Sequence, residues 1–93
     1  MGRLGKHIQT LRQKRSMTVR ALAEAVGKTP GYLSRVEARD EIPSPELICM
    51  IGSVLKEKPE ALLELSKLDL MQRTEERIEK NAAEALQLYR RSR

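Results

Sequence analysis

The chain contains no phenylalanine and no tryptophan, and one cysteine and one histidine in 93 residues. Without large aromatics, any core must be built from Leu, Ile, Val, Met and Ala. A lone Cys49 excludes an internal disulfide and suits a reducing compartment. With His7 as the single histidine there is no Cys/His cluster, so no metal site is expected. Cys49 lies in an apolar stretch and reads as a small buried residue. His7 has no evident partner, and no nucleophile–base pair can be assembled. Neither catalysis nor a cofactor is therefore expected. No alternating strand pattern, internal repeat or low-complexity tract appears. There is no signal-peptide pattern and no apolar run long enough to span a membrane, so the expectation is a soluble cytoplasmic protein with no membrane partner.

What is present is basic charge, unevenly placed. The net charge is +5. Residues 1–40 carry nine Lys or Arg against Glu24, Glu37 and Asp40, a balance of +6. Residues 41–93 carry nine basic and ten acidic side chains, a balance of −1. The positive field belongs to the N-terminal part, and its natural partner is a polyanion, nucleic acid first. The length suits one small all-α domain with a modest core.

Leu4, Ile8 and Leu11 recur at helical spacing and predict a helix from about Arg3 to Lys14. Thr18 is a good N-cap for a short helix from Val19 to Val26, with Leu22, Ala23 and Val26 facing inward and Gly27 ending it. Thr29 caps again, and Pro30 stands at the first helical position, where its missing N–H is harmless. A helix from Pro30 to about Ala38 follows. Asp40 to Pro43 read as a connector. Ser44 and Pro45 start a fourth helix with Leu47, Ile48, Ile51, Val54 and Leu55 as its apolar stripe. Pro59 starts a short fifth helix reaching Leu65. A sixth is predicted from about Leu70 to near Arg90.

Two short helices joined at Gly27 have the sequence form of a helix-turn-helix. Ala23 must be small because the second helix crosses close to it, and Gly27 supplies a positive φ. Leu22, Val26, Leu33 and Val36 lock the pair onto the domain. The stretch TVRALAEAVGKTPGYLSRVEAR resembles the phage-repressor (Cro/XRE-type) helix-turn-helix family, and the likeness extends from about Leu4 to Leu65. It implies a five-helix DNA-binding domain over residues 1–68; the amphipathic helix over residues 69–93 is an addition beyond it, read from the tail's own pattern. It also implies a largely buried ion pair between Arg12 and Glu37. Lys28 departs from the family, which usually has an apolar turn residue there. Pro30 and Gly31 stand where members often carry glutamines, so no operator can be carried over.

The resemblance implies that the helix starting at Pro30 enters the major groove. The residues implied for base readout are Thr29, Pro30, Gly31, Ser34 and Arg35, with Ala38 also outward. Arg35 is the best reader, because a guanidinium grips guanine O6 and N7 together. Phosphate contacts are implied for Thr18, Arg20, Lys28, Tyr32 and Arg39, with Lys6 and Lys14 as lesser candidates. Tyr32 has an equal alternative in packing against the fourth helix.

In the tail, Met71, Ile78, Ala82, Ala85 and Tyr89 fall near one stripe with heptad-like steps. Proteins of this class bind two half-sites as two copies, so the stripe is expected to dimerise, with Leu62, Leu63 and Leu65 sharing the interface. The alternative is a helix folded back on its own domain. The expected function is a dimeric, sequence-specific repressor of a palindromic operator in double-stranded DNA, often its own. The rival is an antitoxin that autoregulates its operon and binds a toxin protein. A third reading is a regulator controlled from outside by a protease or an antirepressor.

Overall fold

The computed structural model describes residues 2–39 and 41–92. Asp40, in the expected connector, and Arg93, at the end of the tail, lie outside the described residues. Five helices follow in order: α1 (Arg3–Lys14), α2 (Val19–Ala25), α3 (Pro30–Ala38), α4 (Pro45–Leu55) and α5 (Pro59–Arg91).

Local chemistry explains most boundaries. The Thr18, Thr29 and Ser44 hydroxyl oxygens accept from the backbone N–H groups of Ala21, Tyr32 and Leu47, which opens α2, α3 and α4. Proline begins α3, α4 and α5. At the end of α2, Gly27 takes φ 70°. The Lys28 N–H then reaches back to the Ala23 carbonyl at 2.9 Å, and the Gly27 N–H to that of Glu24 at 3.2 Å. These two bonds turn the chain directly into α3. Arg15 Nε donates to the Leu55 carbonyl at 2.8 Å, placing a cation on the C-terminal end of α4.

The core is wholly aliphatic: Leu4 and Ile8 from α1, Leu22 and Ala23 from α2, Leu33 and Val36 from α3, Leu47, Ile48, Ile51 and Leu55 from α4, and Leu62 from α5, with Val26 beside them. Leu11, Val54, Leu63 and Leu65 pack on it while partly exposed. Cys49 corrects the sequence expectation. It is exposed, because at about 100° per residue it faces about 140° away from the centre of the inward row of Leu47, Ile48, Ile51 and Leu55. His7 also gains a partner, since its Nε2 lies 3.2 Å from Glu57 Oε2. That contact first, and the Lys58 N–H second, lower the Glu57 pKa, with desolvation opposing them.

α1 and α3 cross at very close range. A Cβ on Gly5 would lie 2.4 Å from the Val36 carbonyl oxygen and 2.8 Å from that of Glu37. Next to this contact, Arg12 grips Glu37 with Nε at 2.9 Å and Nη2 at 3.1 Å, while Nη1 donates to the Met17 carbonyl at 2.7 Å. The two side chains are 11% and 5% exposed.

The tail departs most from expectation. The separate fifth and sixth helices are one helix of 33 residues. The intervening SKLDL contains no glycine or proline that would stop it, and its cap-type side chains are used elsewhere, Ser66 Oγ donating to the Leu63 carbonyl and Asp69 accepting from the start of α1. Its first part is docked. The Asp69 carboxylate accepts from the Arg3 and Leu4 N–H groups at 3.0 and 2.9 Å, so α5 caps α1 from 65 residues away. Gln72 accepts from Arg3 Nη1 at 3.2 Å. From residue 74 to 92 every side chain is exposed, and the molecule measures 60 × 25 × 21 Å. The second half of α5 projects and does not fold back.

Four variants test this frame. Gly5→Ala is expected to lose about 2 kcal/mol or more in urea unfolding, because the clash is with backbone that cannot turn aside. Gly31→Ala, whose added Cβ would meet only Arg35 Nη1 at an ordinary contact distance of 4.0 Å, should gain up to about 1 kcal/mol from helix propensity. Glu37→Ala is expected to lose about 3–5 kcal/mol by stranding Arg12, and the double change Arg12→Met with Glu37→Leu should recover most of it. A loss below about 1 kcal/mol for Glu37→Ala would show that water relieves the stranded charge.

Candidate nucleic-acid interface

Helix α3 has two faces. Leu33, Val36 and Glu37 point inward. Thr29, Gly31, Ser34, Arg35 and Ala38 are exposed, with Pro30 and Tyr32 half-buried. Helices α1 and α2 pack against the inner face, and the outer face is left to solvent. It is polar, which accounts for a nine-residue helix with little apolar content.

The outer face is organised around Tyr32. The Arg35 guanidinium lies 5.6 Å from the ring centroid and the Lys28 ammonium 5.9 Å from it, both within cation–π range. Tyr32 also packs against the aliphatic core, so its ring is a floor and its two cations lie over it. Desolvation raises the phenol pKa above its ordinary value, the Glu41 carboxylate adds to this, and Arg35 works against it. At neutral pH the hydroxyl is a neutral donor.

Arg35 Nε stands 3.5 Å from Glu41 Oε2. At the other end of the guanidinium, Nη1 lies 4.0 Å from where a Cβ on Gly31 would be. The side chain therefore runs back along α3 towards its N-terminus, over space that a larger residue 31 would occupy. Glu41 was not anticipated. A connector carboxylate carries no sequence mark that separates it from a solvated one.

Thr18 and Thr29 are exposed and already serve as caps. Each hydroxyl accepts one backbone N–H and keeps its own proton to donate outward. Arg20, Lys28 and Arg39 are exposed at the start of α2, in the turn and just beyond α3. Arg39 lines an open groove with Glu41, Ile42, Leu70 and Arg73, so α5 passes beside the C-terminal end of α3. Among the described residues, no three His, Cys, Asp or Glu side chains are grouped to hold a metal ion, and no helix is long and apolar enough to cross a membrane.

The residues expected at an interface in the tail divide into two sets. Leu62 is fully buried in this chain's own core, and Leu65 packs on that core and lines a cleft with Arg3, Lys6, His7 and Thr10. Leu62 is therefore not free to meet another molecule, whereas Leu65 remains half-exposed at the cleft. At about 100° per residue, Met71, Ile78, Ala82, Ala85 and Tyr89 fall within a sector of about 60° on the far side of the helix from Leu62 and Asp69. All five are exposed.

A helix-turn-helix family model matches residues 8–62. Among solved structures, SinR, a master regulator for biofilm formation crystallised in complex with DNA, aligns with a TM-score of 0.59 and 28% identity, covering 64% of this chain and 97% of that one. The clp gene regulator ClgR from Corynebacterium glutamicum aligns with a TM-score of 0.61 and 28% identity over 83% of both chains. A second structure of ClgR gives 0.59 and 31% identity over 69% of this chain and 83% of that one. None of the curated proteins matches the chain.

Proposed function

The chain belongs to the Cro/C1/XRE-type helix-turn-helix family of DNA-binding transcriptional regulators, and from that premise we propose that it is a dimeric repressor of a palindromic operator. The observation that carries the reading is the outer face of α3, where Arg35, exposed and directed along the helix, extends over Gly31 towards the N-terminal end. A recognition helix enters the major groove by that end. Arg35 is the residue that reads a guanine edge, supported by Ser34 and by the hydroxyl proton of Thr29. Pro30 and Gly31 let the α3 backbone come close to the base edges.

Thr18, Arg20, Lys28, Tyr32 and Arg39 hold phosphates and fix the register. Lys28 and Tyr32 act together, since the ammonium lies over the ring. The basic balance of residues 1–40 supplies the salt-dependent part of the affinity.

The second copy pairs through the stripe of Met71, Ile78, Ala82, Ala85 and Tyr89. The exposure of Ile78 at 61% and Tyr89 at 59% supports this role, because large apolar side chains aligned on one helix face are what a partner helix covers. An antitoxin would use the same stripe for a toxin protein.

Three outcomes test the proposal in mobility shifts against a duplex selected from a random pool. Arg35→Ala should lower discrimination at one base pair by about 10- to 100-fold. Lys28→Ala should weaken binding to all sequences alike and reduce the salt slope by about 0.9. Ile78→Glu should convert a dimer to a monomer in sedimentation and abolish cooperative occupation of two half-sites. If the wild type is a monomer and copurifies with the product of an adjacent gene, the antitoxin reading replaces dimerisation.

A further inference from the structure

On the reading of Arg35 as the base reader, we propose that Glu41 is a positioning residue for sequence recognition. Its carboxylate braces the Nε edge of Arg35, so that the Nη1–Nη2 edge is presented end-on to a guanine.

Four observations meet at this point. First, Glu41 Oε2 stands 3.5 Å from Arg35 Nε. Second, that oxygen is shut off from solvent and finds no hydrogen-bond donor among the described residues. A small rotation of either side chain would turn the contact into a charge-assisted hydrogen bond. Third, the Tyr32 ring lies beneath the guanidinium at 5.6 Å. Fourth, Gly31 leaves room at the other end, with Nη1 at 4.0 Å from the missing Cβ. The guanidinium thus has a floor, a brace at one edge and an open edge.

The chemistry of the fork makes the choice of edge important. A guanidinium can offer a pair of N–H groups from its Nε–Nη side or from its Nη1–Nη2 end. A carboxylate at Nε occupies the first and leaves the second. Guanine O6 and N7 need two parallel donors, and the end-on pair supplies them.

Glu41 acts on affinity in two opposed ways. It restricts a side chain rich in rotamers before DNA arrives, which reduces the entropy lost on binding. It also places a negative charge where a phosphate would otherwise approach Arg35, which disfavours the non-specific contact. Both effects raise the ratio of specific to non-specific binding. Arg35 and Glu41 are 51% and 40% exposed, and exposed pairs contribute little to folding. A brace of this kind can therefore be removed without unfolding the domain.

The test uses the full chain and a duplex selected from a random pool by the wild type, with single-base variants at every position. Wild type, Glu41→Ala, Glu41→Gln, Arg35→Ala and the double variant Arg35→Ala with Glu41→Ala are compared, with thermal melts as a check on folding. Glu41→Ala is expected to lower discrimination about three- to tenfold at the same base pair that Arg35→Ala affects. Its binding to scrambled duplex should tighten, as the freed guanidinium turns to phosphate. Glu41→Gln keeps an acceptor without the charge and should retain part of the discrimination. In the Arg35→Ala background, Glu41→Ala should no longer alter base preference.

The proposal is overturned if neither Glu41 variant changes preference at that base pair. It is equally overturned if Glu41→Ala still changes preference once Arg35 is gone. Should Glu41→Ala melt early, Glu41→Gln alone decides between these results. Failure of the wild type to enrich any duplex would overturn the earlier reading of α3 as a base reader, and the brace with it.

Discussion

The crossing of α1 over the last turn of α3 is the constraint on which the rest of the structure depends. It is so close that only hydrogen fits at Gly5, against the carbonyls of Val36 and Glu37. Backbone contact of this kind leaves α3 one depth and one angle. The Arg12–Glu37 pair then fixes its rotation, because a bidentate guanidinium–carboxylate contact tolerates little twist. The third donor of Arg12 goes to the Met17 carbonyl, which ties the chain leading into α2 to the same point. A buried pair adds little net stability. Its contribution here is geometric, since it orients a helix whose outer face must stay unfilled.

This explains how a segment as polar as PGYLSRVEA can be a helix at all. Nine residues would not hold a helix alone in water. Thr29 and Pro30 start it, Leu33 and Val36 anchor it, and Glu37 is held by Arg12. All of the stabilising contacts lie on one side. The other side is left to Thr29, Gly31, Ser34 and Arg35, none of which the fold needs inside. The polar composition is a consequence of that division of labour between faces.

The punctuation of this fold was legible in the sequence because it is local. Thr18, Thr29, Ser44 and the three helix-starting prolines each act within one turn of their own position, so the starts of α2, α3, α4 and α5 could be read directly. Inward rows were legible from 3.6-residue periodicity. What could not be read is contact across the chain. Asp69 caps α1 from the far end of the domain, His7 meets Glu57 across 50 residues, and neither pairing leaves a periodic trace. Cys49 was misplaced because an apolar neighbourhood in sequence does not say on which side of a helix a residue falls. Leu62 shows a related limit. Periodicity shows that a face is apolar but not what covers it, and Leu62 is covered by this chain's own core. On α3, the outward residues were legible as a set, whereas the Glu41 contact to Arg35 depends on the path of the connector.

The continuous α5 joins the two halves of the proposed function mechanically. Asp69 and Gln72 clamp its middle to the start of α1, and Leu62 roots it in the core. The projecting part is a stiff extension of the domain, and the stripe from Met71 to Tyr89 spans about 27 Å along it at 1.5 Å per residue. Two heptads make a weak interface, but weakness is compatible with the role. In the proposed dimer, a copy on its half-site would place the second at a raised local concentration, and DNA would supply the remaining affinity. On the same proposal, one continuous helix would turn the pairing geometry of α5 into a fixed separation between two copies of α3. A flexible tail with the same stripe could dimerise equally well yet specify no spacing. The missing break between Leu65 and Leu70 is therefore the feature of the tail that gives a two-half-site reading its geometry.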